Sequence, residues 1–260
     1  MSGAAWLYRG HAGAAGLKMS RHLAVVRLGR QPYGVVHALQ HRLVAARQRG
    51  EIGDTLLLLE HEPVITLGRR ADATHILADA ATLERAGIAV MPIERGGDVT
   101  YHGPGQLVGY PIVDLAALGL GPSDYMHALE DAVIAAMADW GISGGRRQGQ
   151  VGVWVGGNKI CAMGVRVSKR VTYHGFALNV DPIMDHWRMI VPCGIRDGFV
   201  TSMAAELGSA PPMDAVIATV VARLGHRLGL APVEYALEHL CPKVAVDTSM
   251  VAVQSAENQE

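Results

Sequence analysis

At 260 residues the chain is long for one domain but within range for a single α/β or α+β unit with a full core. Its 50% hydrophobic and 18% charged residues are those of a globular protein. With 23 Lys plus Arg against 24 Asp plus Glu, the net charge of -1 excludes a global field that draws in nucleic acid or a membrane surface. The three cysteines, Cys161, Cys193 and Cys241, lie far apart without a CxxC pair, which excludes a disulfide framework and a structural zinc, and the apolar runs, such as Leu56 to Leu59, are far too short to span a membrane.

No acidic residue precedes Glu51, whereas Arg9, Lys18, Arg21, Arg27 and Arg30 do. That bias resembles a presequence, yet MSGAAWLYRGHAGAAGLK lacks a strong amphipathic repeat. We expect a flexible leader over residues 1–20, with Met19 as an alternative start, one folded domain over 21–241 and a disordered tail over 242–260. The expected compartment is the cytoplasm, with mitochondrial import as the alternative.

In chain order, HLAVVRLG predicts a strand and PYGVVHALQHRLVAARQRG a helix, with Pro32 in its first turn and Gly50 as its stop. A strand pair follows in DTLLLLEHE and PVITLGRR, then a short helix in ILADAATLERAG and a strand in IAVMPI. QLVGYPIVDL predicts a strand and SDYMHALEDAVIAAMADWG a helix with Met126, Leu129, Val133, Met137 and Trp140 on one face. QVGVWV, a GGN turn and KICAMGVRV predict a hairpin, and KRVTYHGFALNV a further strand. A loop over PIMDHWRMIVPCGIRDGF leads to helices in TSMAAELG and MDAVIATVVARLGHRLG. Hairpins with interspersed helices predict an α+β fold, a mixed and largely antiparallel sheet covered by helices.

Between the IAVMPI and QLVGYPIVDL strands stands RGGDVTYHGPGQ, Arg95 to Gln106, a stretch whose low apolar content argues against a core strand and whose reactive side chains argue against a simple turn. VTYHG recurs at Val171 to Gly175, so two strands ending in Tyr-His-Gly stand to bring His102 and His174 to one site. A phosphate cradle fails: in GPGQLVG the third glycine is one place late, no helix follows, Pro104 removes an amide, and no GK[ST] closes a P-loop. A metal on His102, His174 and Cys193 lacks the usual ligand spacings. Neither metal nor cofactor is expected.

Covalent chemistry has a candidate in Cys193, because Pro192 and Gly194 hold IVPCGI out of regular structure. Against it stands the tendency of free cysteine to be buried, which is the expectation for Cys161 and Cys241. A thiol near its ordinary pKa of ~8.5 is only a few per cent thiolate at neutral pH, so a nucleophilic cysteine needs a base or cation beside it. Lys159, at the start of an otherwise apolar strand, is one candidate against the simpler reading of a solvated hairpin lysine. His102 and His174 compete with it.

These residues carry a resemblance. HEPVITLGRR, RGGDVTYHGPGQLVGYPIVDL, GVWVGGNKICAMGVRV, HGFALNVDP and IVPCGI followed by VTSM, from about Val26 to Leu207, are similar to the lipoyl(octanoyl) transferases, whose signature is R-G-G-x-x-T-[aromatic]-H-x-x-G-Q. The resemblance implies the biotin/lipoate protein ligase-like fold, a larger mixed sheet with a smaller one and packed helices. It implies Cys193 as the thioester-forming nucleophile and Lys159 as the group that lowers the thiol's pKa or takes its proton. Substrate-binding segments fall on Arg95, Gly96, Gly97, Asp98, Val99, Thr100, Tyr101 and His102, on Ala162, Met163 and Gly164, and on Gly175, Phe176 and Ala177, with His174 auxiliary. Met163 and Phe176 are suitable walls for an acyl chain. Cys161 shares strand parity with Lys159, which makes it a second thiol to watch.

The implied reaction is ATP-independent transfer of octanoyl from acyl carrier protein to a lysine of lipoyl domains, those of 2-oxoacid dehydrogenases and the glycine cleavage H protein, with no nucleic acid or membrane partner. A thioester is already activated, which agrees with the missing phosphate loop. Lys169 with Arg170, or Arg146 with Arg147, are candidate docking pairs for the acidic carrier, although charge pairs are more often a solvated face.

Overall fold

The computed structural model describes residues 21–192 and 199–240. The chain runs β1 (His22–Gln31), α1 (Tyr33–Gln48), β2 (Asp54–His61), β3 (Val64–Leu67), a 3-10 turn at Ala73–His75, α2 (Ala80–Arg85), β4 (Ala89–Pro92), β5 (Val99–His102) and β6 (Gln106–Ile112). It continues through α3 (Leu115–Leu118), α4 (Pro122–Ala138), β7 (Gly145–Arg147), β8 (Gln150–Val155), β9 (Asn158–Ser168) and β10 (Val171–Asn179). The last elements are α5 (Met184–Trp187), α6 (Met203–Leu207), α7 (Met213–Leu228), β11 (Ala231–Glu234) and α8 (Leu237–Leu240).

Eight strands form the large sheet in the order β11-β1-β2-β6-β10-β9-β8-β7, and three form the small one in the order β4-β3-β5. β1 runs parallel to β11 and β2, and every other pairing in the large sheet is antiparallel. The mixed, mostly antiparallel sheet with a smaller partner agrees with the expected fold class.

Both faces of the large sheet are covered, and LLLL in β2 shows how. Successive side chains of a strand point to opposite faces, so Leu56 and Leu58 pack with Tyr125, Leu129, Val133 and Met137 of α4 and Val216, Val220 and Leu224 of α7. Leu57 and Leu59 point the other way, onto Val36, Leu39, Leu43 and Val44 of α1. A continuous apolar run is what a strand buried on both faces requires. Each such leucine stabilises the fold by roughly 1.5–3 kcal/mol through burial.

Two expectations are corrected here. DTLLLLEHE and PVITLGRR both form strands, but they do not pair: β2 lies in the large sheet and β3 in the small one, because the bend at Pro63 redirects the chain between them. The second concerns RGGDVTYHGPGQ. Its VTYH is β5, buried at every position and paired antiparallel to β3. Polar side chains are tolerated there because they are bonded, Tyr101 Oη with His186 Nδ1 at 2.7 Å and His102 Nδ1 with Gln106 Oε1 at 2.7 Å. The short elements β7, α3, α5, β11 and α8 are too brief to show a period in sequence.

Candidate active site

The two Tyr-His-Gly stretches meet. β5 brings Thr100 and His102, β9 brings Ala162, Met163 and Gly164, and β10 brings His174, Gly175, Phe176 and Ala177 around a cleft enclosing about 420 Å³ of empty space, mouth included. Arg95, Tyr33 and Tyr110 complete the lining. The register explains the convergence, since Gly175 pairs with Gly164, Phe176 with Met163 and Ala177 with Ala162 across β9 and β10.

Not every residue expected at the site lines it. Strand alternation turns Val99 and Tyr101 away, into a cluster with Ile65, Leu83, Ile88, Trp187 and Ile190. Asp98 ties loops together instead, accepting from the Asp72 backbone N–H and pairing with His75. Gly96 and Gly97 serve the backbone around Arg95, whose Nη1 donates to the Gly96 carbonyl at 3.0 Å and whose Nη2 donates to the Thr66 carbonyl at 2.8 Å. Arg95 is 7% exposed, so the cleft carries a buried, fixed cation.

His102 is the end of a directed hydrogen-bond chain. The Thr201 carbonyl can only accept, so the Asn179 amide donates to it through Nδ2 at 2.9 Å. Asn179 Oδ1 then accepts from Gln106 Nε2 at 2.8 Å, which leaves Gln106 Oε1 to accept from His102 Nδ1 at 2.7 Å. The proton therefore sits on Nδ1 of His102, and Nε2 is its lone-pair nitrogen. Burial, with His61 adding to it, pushes His102 down to about 3, so the ring is neutral at pH 7. His61 is likewise held down to about 4 by burial; its Nδ1 donates to the Gln31 carbonyl and its Nε2 accepts from Tyr110 Oη at 2.8 Å.

His174 is built differently. It takes φ +56 in the middle of β10, a left-handed conformation uncommon outside glycine, and its backbone N–H donates to Gln40 Oε1 at 2.7 Å. The ring is 2% exposed and neither nitrogen has a hydrogen-bond partner. Burial pushes it down to about 3 against the opposing pull of Glu94. A Cβ at the following Gly175 would lie 2.2 Å from the Gly109 carbonyl oxygen, so only glycine lets β10 approach β6 this closely.

Lys159 lies three positions before Ala162 on β9, roughly 10 Å along the strand. It is 7% exposed, which corrects the reading of a solvated hairpin lysine. Its Nζ stands 4.8 Å from the centroid of the Trp154 ring, and Gly152, at φ +122, lets β8 approach β9 here, since a Cβ there would lie 2.5 Å from the Cys161 carbonyl oxygen. Its backbone is gripped by the segment Phe199–Thr201, with Lys159 N–H donating to the Phe199 carbonyl at 2.9 Å and Thr201 N–H to the Lys159 carbonyl at 3.0 Å. Cys193 and Cys241 lie outside the described residues. Cys161, by contrast, is wholly buried among the core residues under α4, and burial pushes its thiol far up, which removes it as a nucleophile.

Reading the sequence missed Tyr33, Tyr110 and His61. Tyr33 stacks on His102 with ring centroids 5.9 Å apart and tilts over His61 at 4.8 Å. Nothing local distinguishes them from core aromatics; the aromatic tyrosine inside the apolar β6 run was the one available signal.

Comparisons with known proteins show the family. A model of the lipoyl protein ligase A/B catalytic domain matches residues 32–225. An octanoyltransferase of Chloroflexus aggregans is 50% identical over 216 residues, covering 82% of this chain and 98% of that one. This chain belongs to the lipoyl protein ligase A/B catalytic-domain family. Within the family it is an acyltransferase, like its close relatives; the octanoyltransferase of Koribacter versatilis is 46% identical over 208 residues, 78% of this chain and 83% of the relative. Solved structures share the fold at low identity. Lipoate-protein ligase A bound with ATP superposes with a TM-score of 0.71 at 15% identity, covering 88% of this chain and 94% of that one. A T. acidophilum protein with bound lipoic acid gives 0.69 at 14%, covering 90% and 96%. No helix among the described residues is long and apolar enough to cross a membrane.

Proposed function

We propose that this acyltransferase moves an octanoyl group from octanoyl-acyl carrier protein to a specific lysine of lipoyl domains, those of 2-oxoacid dehydrogenases and the glycine cleavage H protein, through a thioester on Cys193. The carrying observation is the placement of the cleft. Of its apolar walls, Met163 sits on β9, the strand that holds Lys159, and Phe176 pairs with it from β10, while the chain on either side of residues 193–198 is pinned by the Ile76–Ile190 bridge and by Val200 beside Lys159. Lys159 is buried, and its backbone is bonded to Phe199 and Thr201 just after that segment.

The chemistry balances without nucleotide. The Cys193 thiolate attacks the donor's thioester carbonyl, the carbon–sulfur bond to the carrier breaks, and the carrier thiol leaves with a proton. The neutral amine of the acceptor lysine then attacks the enzyme thioester, an amide forms, its extra proton passes to a base, and the Cys193 thiolate returns. Lys159 supports thiolate formation by its charge or by taking the thiol proton. Developing oxyanion charge needs stabilising, and the buried Arg95 guanidinium in the cleft lining supplies fixed positive charge, whereas the amides of Gly175 to Ala177 belong to β10, which is paired on both edges. The cleft's histidines are neutral at working pH, and the burial that keeps them so also makes them weak bases. Of the candidate carrier-docking pairs, Arg146 is engaged by Glu130 and Asp131 and Arg170 by Asp114, but Lys169 and Arg170 stand in the exposed β9–β10 turn and are the more accessible pair.

The test is intact mass after incubation with octanoyl-carrier and no ATP. An octanoyl adduct that disappears in Cys193→Ala supports the reading; no adduct, or one that survives the substitution, overturns it. Lys159→Ala is expected to lose rate and to recover part of it at high pH.

A further inference from the structure

α1 places His37 and His41 one turn apart on one face, and the chain just before β5 sets Glu94 against them. His37 Nε2 lies 3.0 Å from both Glu94 carboxylate oxygens, His41 Nε2 lies 2.9 Å from Oε1, and the two Nε2 atoms are 3.2 Å apart. None of these three residues lines the acyl cleft, so acyl transfer gives no reason for two imidazoles to aim one nitrogen each at a single carboxylate. A metal ion does. Zinc bonds of about 2.0–2.1 Å put tetrahedral ligand atoms roughly 3.3–3.4 Å apart, close to the spacing seen here. Beside this cluster stands the His174 ring, 2% exposed and without a hydrogen-bond partner, whose Nε2 lies 3.8 Å from Glu94 Oε1 and which stacks on the His37 ring at 5.7 Å between centroids, so that it reaches the fourth corner when the ring moves in on an ion. A buried imidazole with both nitrogens unsatisfied is costly, and ligation would satisfy one of them.

We propose that His37, His41, Glu94 and His174 form a binding site for a divalent transition-metal ion of the zinc type. Imidazole and carboxylate donors suit zinc or cobalt(II), and the two or more nitrogens disfavour magnesium and calcium. His41, with a half-exposed side chain, provides the entry from solvent. A bound ion ties α1 to the segment before β5 and to β10, the strand of Gly175 to Ala177, and so stiffens the cleft without taking part in acyl transfer. This inference stands whether or not Cys193 carries the acyl group.

The test uses the full chain stripped with chelator, titrated with Zn2+ against a competing chromogenic chelator and with Co2+ by visible absorption. One ion per chain, intense tetrahedral cobalt bands and a thermal midpoint that rises with Zn2+ concentration are expected. His41→Ala and Glu94→Gln should each weaken binding about tenfold or more, and His174→Phe should abolish the tetrahedral cobalt spectrum. His226→Ala, on an exposed face of α7, and Cys193→Ser should leave binding unchanged. Absence of stoichiometric binding, binding untouched by His41→Ala and Glu94→Gln, or binding lost in Cys193→Ser overturns the proposal. Circular dichroism of each variant separates loss of a ligand from loss of the fold.

Discussion

VTYHG occurs twice in this chain, and its two histidines live in opposite circumstances. At Val99 to Gly103 the backbone is a regular strand and the His102 ring ends a chain of bonded amides that runs to Thr201. At Val171 to Gly175 the backbone turns left-handed at His174, its N–H is held by a glutamine from α1, and the ring bonds to nothing. The same five residues therefore produce one satisfied and one orphaned imidazole on facing walls of a single cleft. What differs is the neighbour each strand acquires, a three-stranded sheet in one case and the centre of an eight-stranded sheet in the other.

Substitutions sharpen the contrast. Gly175→Ala is expected to cost roughly 3 kcal/mol in urea unfolding, because the added methyl meets the backbone of Gly109 at 2.2 Å. Gly103→Ala meets the hydroxyl end of Tyr101 instead and should cost less, since a ring shifts more easily than a sheet. A larger loss at Gly103 than at Gly175 would show that the second stretch is the looser one.

Next in size are the rings themselves. His102→Phe leaves the Gln106 carbonyl oxygen buried without its donor and should cost about 2 kcal/mol. His174→Phe, measured in chelator-treated protein, removes no hydrogen bond and should change stability by less than about 1 kcal/mol. Equal losses at the two positions would contradict the difference in bonding.

Acid provides a third comparison. His61, His102 and His174 are held near 4, 3 and 3, below the ordinary 6.5, so the unfolded chain binds more protons than the folded one across that interval. Stability is complete above about pH 6.5 and is lost as pH falls toward 4 and below, about 2 kcal/mol for each histidine between pH 7 and 5. His102→Phe should reduce that slope by roughly a third, while substitution of exposed His226 should not change it.

The smallest effect concerns the other positive-φ residues beside β10. Lys169 at φ +44 and Arg170 at φ +77 make a two-residue turn between β9 and β10. Replacing them with Asn-Gly should raise stability by about 0.5–1 kcal/mol, less whatever the pair of exposed Arg170 with buried Asp114 contributes. Strain that is removable at the turn but not at His174 would mark the latter as kept for the site.

Much of the fold was legible. The period-3.6 patterns of α1, α4 and α7 and the apolar run of β2 are strong local signals, and their boundaries agree with the sequence to within a few residues. β5 was not, because its four residues are half polar and its burial depends on bonds formed in the fold, to nearby Gln106 and to His186, which lies far along the chain. The site was legible through composition rather than geometry: a stretch dense in glycine and reactive side chains, repeated once, drew attention to Arg95, Thr100, His102 and His174. Which members of that stretch face the cleft follows from strand alternation once β5 is a strand, and Val99, Tyr101 and Asp98 fall away on that ground.

By itself the sequence determined the family, through blocks of residues in a fixed order, and the amphipathic elements, through side-chain period, because both are properties of neighbours along the chain. Tertiary structure alone decided which imidazoles are satisfied, that Lys159 is buried over Trp154, and that Glu94 meets His37 and His41 across more than fifty residues of chain. Burial and hydrogen-bond closure depend on groups distant in sequence, and desolvation, which sets the charge state of every histidine in the cleft, exists only when the sheets close around them.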